Sequence, residues 1–190
     1  MELKEAINIR RSCRSFSNKE VDRKQIEELI ECARLSPSAA NRQNWYFVIL
    51  EKEEKNKIAN IMKKRLKNTN YIENIDKPTK PYTATSSLIG SIKVIQEAPI
   101  LILVFRTPSE DWLEGDYLSI GSAVEHICLR ATDLGLGSLW IRDAIYTRKE
   151  IAQAIGYEDM ELVVSIAVGY SEESPYQRRK KELKNIMRWC

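Results

Sequence analysis

The chain has 190 residues, of which 43% are hydrophobic and 30% charged, with 7 glycines and 6 prolines. A chain of this length forms about one domain and buries about 70% of its extended surface, so it can build its own core. The composition excludes collagen-like and wholly disordered chains. A net charge of +3 is too small to mark a nucleic-acid binder from totals alone, and no apolar run approaches the roughly 20 residues of a membrane span.

The opening Met1-Glu2-Leu3-Lys4-Glu5 lacks the basic-then-apolar layout of a secretory signal. Cys13, Cys32, Cys128 and Cys190 form no Cys-x-x-Cys pair and His126 is the single histidine. That argues against a zinc site and for a reducing, cytoplasmic setting. It also leaves His126 as the sole candidate for any histidine-centred base.

Residues 2–9 read as a short helix with Leu3, Ala6 and Ile7 on one side. After a polar turn, Arg10 to Phe16, a second helix begins with Asp22 as its cap, Gln25 three residues on and Val21 placed to staple onto Ile26. Ile26, Leu29, Ile30 and Ala33 keep helical spacing to Leu35, and Pro37 ends the run. The segment Trp45 to Leu50 is aromatic and β-branched, which predicts a buried strand.

Residues 52–68 predict a lysine-rich helix with Ile58, Ile61, Met62 and Leu66 as its buried stripe. The stretch 69–87, with Pro78 and Pro81 among many hydroxyl residues, predicts a long loop. Pro99 opens a second strand, Ile100 to Phe105, apolar on both faces and therefore central in its sheet. The clearest helix is Asp116 to Leu134, whose wide apolar face includes Gly121 and Ala131, small enough to admit another backbone. Gly135 and Gly137 stop it. A short strand at 138–141, a helix from the capping box Thr147–Glu150 to about Ile155, and a last strand from Leu162 to Val168 follow. The tail from Arg178 to Cys190 is basic.

Three polar segments interrupt this structured sequence. In Arg10-Arg11-Ser12-Cys13-Arg14, guanidinium groups and a hydroxyl beside a helix end suit a phosphate, although a solvated turn has the same composition. Pro37-Ser38-Ala39-Ala40-Asn41-Arg42-Gln43 offers paired amide donors and acceptors for a planar heterocycle edge, or is an ordinary connection. Gly135-Leu136-Gly137-Ser138-Leu139-Trp140-Ile141-Arg142 is no dinucleotide fingerprint, since it runs from helix to strand.

The ordered set carries more than its parts. Arg10-Arg11-Ser12-x-Arg14-x-Phe16, then Pro37-Ser38-x-x-Asn41-x-Gln43-x-Trp45, then Asp116 with Leu134-Gly135-Leu136-Gly137-Ser138-x-Trp140-Ile141, then Val168-Gly169-Tyr170 and Arg179-Lys180, resembles the FMN-dependent nitroreductase family over nearly the whole chain. The resemblance implies an α+β, three-layer α/β/α fold with a central mixed, mainly antiparallel sheet, one domain over 1–190. It further implies an intertwined homodimer with FMN at the subunit interface.

By the family pattern, Arg10, Arg11 and Ser12 hold the FMN phosphate, completed by Arg178, Arg179 or Lys180. Arg14 faces the pyrimidine edge of the flavin, where a cation stabilises the negative charge of the reduced ring. Ser38, Asn41 and Gln43 reach the flavin from the partner, and Pro37 and Ala39 count among the cofactor-binding residues. Trp140, Ile141 and Arg142 line the ring, with a backbone N–H near N5. The implied activity is a ping-pong transfer of hydride from NADPH or NADH, through N5, to a nitroaromatic, quinone or similar electron-poor small molecule. It needs no catalytic side chain and no metal. A dehalogenating or oxidatively cleaving relative, or a flavin-binding sensor without turnover, shares these residues. A nucleic-acid contact through the basic tail ranks last, for want of interleaved aromatics.

The chain departs from the pattern at Asn44, where a proline commonly precedes the tryptophan, and at Arg142 and Asp143, where a small or acidic residue is common. The connection Arg106 to Gly115 is short, so the large lid of bigger relatives is missing, and Trp112 and Tyr82–Ser87 become candidate pocket covers. Cys13, beside three arginines, reads either as an activated thiol or as a small buried filler.

Overall fold

The computed structural model describes residues 1–67 and 84–190. The chain runs through α1 (Leu3–Ile9), α2 (Arg23–Arg34), β1 (Tyr46–Glu51), α3 (Lys52–Lys67), α4 (Ala84–Glu97), β2 (Ile100–Arg106), α5 (Leu113–Asp133), β3 (Gly137–Ile141), α6 (Arg148–Ala154) and β4 (Glu161–Gly169). The strands form one sheet in the order β1-β2-β4-β3, and each pairing is antiparallel. Among the described residues, the parallel component is a bridge between Ser12 and Ser138.

β2 lies inside the sheet and is buried at every position, as its two apolar faces require. Its alternation sorts the core into two layers. Leu101, Leu103 and Phe105 pack with Ile58 and Met62 of α3, Ile95 of α4 and Ile151 of α6. Ile100, Ile102 and Val104 pack with Leu29 and Ala33 of α2 and with Val124 and Ile127 of α5. Helices therefore cover both faces, giving the three-layer α+β arrangement.

The cap of α2 forms as its sequence predicts: the Asp22 carboxylate accepts the Lys24 N–H at 2.9 Å, and the Gln25 side chain accepts the Asp22 N–H at 3.3 Å. Val21 and Ile26 are both buried in one apolar cluster, as the predicted staple requires. Three expectations are corrected. β1 is an edge strand with Tyr46 and Ile49 exposed, not a buried one. The end of the predicted 69–87 loop, from Ala84, is helical and opens α4, while its earlier part lies outside the described residues. Thr147 makes no cap bond; its hydroxyl donates to the Ala144 carbonyl at 3.2 Å, because a 3-10 turn over Asp143–Thr147 runs directly into α6. His126 reaches out of its own helix, its Nδ1 lying 3.1 Å from the Cys32 carbonyl of α2.

Candidate functional site

The first polar segment lies along β3. Cys13 donates its N–H to the Ser138 carbonyl at 2.9 Å, and Ser12 bridges to Ser138. Gly137 permits this approach, since a Cβ there would meet the Cys13 sulfur at 2.9 Å. The Cys13 sulfur sits 3.1 Å from both the Ser15 carbonyl and the Ser171 hydroxyl, and burial pushes its thiol pKa up. Cys13 is therefore a buried filler and not an activated thiol. Arg10 closes α1, its Nε lying 3.7 Å from a Glu125 carboxylate oxygen, and Arg11 donates to the Arg10 carbonyl at 2.6 Å. Arg14 donates its backbone N–H to the Glu173 carboxylate and a guanidinium N–H to the Ser12 carbonyl at 3.2 Å.

These anchors bring Arg14 to a cavity of about 450 Å³ that it shares with Trp140, Ile141 and Arg142. The opposite wall is α4, through Ser87, Gly90, Ser91 and Lys93. Asp143 fixes that wall: it is buried, and its Oδ2 accepts the Ser87 and Ser91 hydroxyls, each at 2.7 Å. The Arg142 guanidinium lies 5.6 Å from the Tyr146 ring centroid. The departure at 142–143 thus places a cation at the cavity and a carboxylate beneath it.

The second polar segment is elsewhere. Residues Ser38 to Gln43 wrap the start of α5, where Ala39 donates its N–H to the Ser119 hydroxyl at 2.9 Å. Among the described residues, no hydrogen bond or ion pair joins this loop to Arg10–Arg14 within one chain. Arg178, Arg179 and Lys180 lie exposed on the tail, and among the described residues no hydrogen bond or ion pair joins them to Arg10 or Ser12.

Sequence reasoning missed a buried ionic cluster under the loop. Asp116, 1% exposed, receives Arg42 at 3.3 Å, Arg106 at 3.5 Å and the Asn44 amide at 2.7 Å. Arg106 continues to Glu161 at 2.6 Å, which also accepts Tyr117 and Arg148, each at 2.8 Å. Burial first, and then the bond to Glu161, push the Tyr117 phenol pKa up. The motif position of Asp116 was the available signal, but nothing in the sequence names its partners. Asn44 has a defined task where a proline is common: its amide also donates to the Thr107 carbonyl at 2.9 Å and accepts the Thr107 N–H at 3.2 Å. Trp112 precedes α5, with the Arg42 guanidinium 5.2 Å from its ring centroid.

A three-layer α+β chain with a basic cleft at one sheet edge defines a small class of folds. The sequence model of the nitroreductase family matches residues 7–170, and the chain belongs to that family. It is 27% identical over 216 residues to the oxygen-insensitive NADPH nitroreductase of Helicobacter acinonychis, covering 98% of this chain and 95% of that one. A BluB-like flavoprotein from Clostridium difficile 630 superposes with a TM-score of 0.79 at 25% identity, over 100% of this chain and 99% of the other. The FMN and NADPH-dependent nitroreductase NfnB of Sphigopyxis sp. strain HMH shares the fold at a TM-score of 0.82 and 18% identity, over 100% and 99%. No helix among the described residues is long and apolar enough to cross a membrane.

Proposed function

We propose that this chain is an FMN-dependent NAD(P)H oxidoreductase, acting as a homodimer on a nitroaromatic, quinone or similarly electron-poor small molecule. The observation that carries the reading is the cavity beside β3, where Arg14 and Arg142 meet the wall formed by Leu139, Trp140 and Ile141. Its volume of about 450 Å³ lies within the range of small-molecule sites. Guanidinium groups beside an apolar wall fit a planar heterocycle that bears an anionic arm, so the residues present suit FMN.

Arg10, Arg11 and Ser12 would hold the phosphate, with Arg179 or Lys180 closing over it from the tail. Arg14 would place positive charge at the pyrimidine edge. Pro37, Ser38, Ala39, Asn41 and Gln43 would come from the partner subunit, which accounts for their separation from Arg14 within one chain. When bound, FMN would supply the redox chemistry that links NAD(P)H to the acceptor. The protein holds and orients. His126 lines a separate hollow with Leu3, Leu35 and Asp133, not the Arg14 cavity, and is given no role there.

The test is an anaerobic absorbance spectrum of the purified protein before and after NADPH or NADH. Flavin bands that bleach are expected. Bands that persist with both nucleotides would leave a flavin protein without this activity, and a colourless protein that refuses added FMN would sink the reading. In the same assay, the Arg10→Ala/Ser12→Ala pair should weaken FMN far more than riboflavin, which lacks the phosphate. Equal losses would remove both residues from the phosphate.

A further inference from the structure

The loop that carries Asn41 and Gln43 is held in an uncommon backbone conformation. Ala40, Asn41 and Gln43 have φ of 50°, 54° and 50°, in the left-handed region that residues with a Cβ seldom adopt. Such conformations persist where surrounding contacts over-determine them. Here the contacts come from one face of α5. A Cβ on Gly115 would lie 3.0 Å from the Ala39 Cβ, so a side chain there would push the loop outward by a few tenths of an ångström. Ser119 accepts the Ala39 N–H at 2.9 Å, and the Ser38 hydroxyl accepts the Gln43 N–H at 3.1 Å. The two oxygens of Asp116 take the Arg42 Nε and the Asn44 amide, at 3.3 and 2.7 Å, and so grip the chain on both sides of Gln43.

The product of this grip is a preformed pair of amides. Gln43 donates its Nε2 to the Asn41 Oδ1 at 3.3 Å, and both residues are exposed. Arg42 itself is committed within its own chain, between the Asp116 carboxylate and the Trp112 ring. Asp116 keeps a cation without it: Arg106 stands 3.5 Å away, and the closer partner of Arg106, Glu161, is also paired with Arg148.

Resting on the assignment of Asn41 and Gln43 to the cofactor, we infer that Arg42 is a positioning residue: clasped by Asp116 and Trp112, it holds these two amides in the left-handed geometry that presents them to the flavin. Without the clasp the loop samples right-handed conformations, and affinity falls by the fraction of time the competent one is lost.

The experiment is a double-variant cycle on the full chain, with FMN and riboflavin binding read by flavin fluorescence, and circular dichroism and melting temperature recorded beside it. Arg42→Ala is expected to weaken both flavins equally, by about tenfold, because the loop addresses the ring and not the phosphate. In a background carrying both Asn41→Ala and Gln43→Ala, adding Arg42→Ala should cost nothing further, since Arg42 acts through these two amides. Unchanged binding by Arg42→Ala, or losses that multiply when it is added to that background, would overturn the inference. Normal binding by Gln43→Ala alone would overturn the loop's assignment and the inference with it, while a wild-type chain that binds neither flavin would overturn the function itself. Should Arg42→Ala fail to fold, the cycle is run with Arg42→Lys, where losses that multiply would overturn the inference in the same way.

Discussion

Asn44 replaces a backbone constraint with side-chain bonds. It ties the entry of β1 to the exit of β2 through both backbone groups of Thr107, and it fills one lone pair of a carboxylate that is 1% exposed. Removing one partner from a buried polar group costs about 1–3 kcal/mol. Asn44→Ala should therefore lower unfolding stability by about 2 kcal/mol in urea titration, and a change within error would mean that water replaces the amide. Cys128 makes a second case. Burial pushes its thiol from 9.0 up to about 11. The folded state then keeps its proton while the unfolded chain loses it, so the associated stability is fully present below pH 9 and is lost as pH rises toward 11. The stability difference between wild type and Cys128→Ala should shrink by about 2 kcal/mol over that interval, and a constant difference would refute the burial argument. At neutral pH, thiol reagents should label exposed Cys190 and spare Cys13 and Cys128 until the chain unfolds.

At the scale of elements, the legible parts were those whose signal is local. The α2 cap, the apolar stripe of α5 and the two-faced β2 are written in spacings of a few residues, and they form as read. α4 was not legible. Its first two turns carry Thr, Ser and Gly, weak helix formers, and they are held by long-range contacts: Leu88 and Ile92 in the core, and the Ser87 and Ser91 hydroxyls on Asp143. The edge position of β1 was hidden for the same reason, since an aromatic strand looks alike at a sheet's centre or margin. The candidate site divides likewise. The segments 10–14, 37–43 and 140–142 stand out as polar interruptions, whereas the carboxylates around them are tertiary facts: Glu173 on Arg14, Asp116 on Arg42, and Asp143 on the facing wall of α4. Asp143→Ala should accordingly release one element. Amide hydrogen exchange in the first turns of α4 should quicken by one to two orders of magnitude, about 1–3 kcal/mol, while α5 stays protected. Equal loosening of both helices would show that Asp143 supports the whole core.

At the scale of the molecule, a single chain leaves large apolar side chains exposed. Leu118 of α5 is 76% exposed, and Tyr176, Leu183 and Trp189 on the tail are 77%, 70% and 89% exposed. Gly121 faces open space, with nothing within 4 Å of a Cβ built on it. Such surface is expected of a self-complementary interface. The two halves of the candidate site, the Arg10–Arg14 cleft and the Ser38–Gln43 loop, are also apart in one chain. A shared site explains both features and makes a prediction that a site within one chain does not. Let one variant carry Arg10→Ala with Ser12→Ala and another carry Gln43→Ala, each weak in FMN. In a mixed dimer, one site collects every defect and the other collects none. Co-refolding the two variants in equal amounts should therefore restore wild-type affinity to about a quarter of all sites, since half the dimers are mixed and each has one intact site. Light scattering should give the mass of two chains. No high-affinity sites in the mixture would mean that cleft and loop serve the same chain, and the exposed surface would then need another partner.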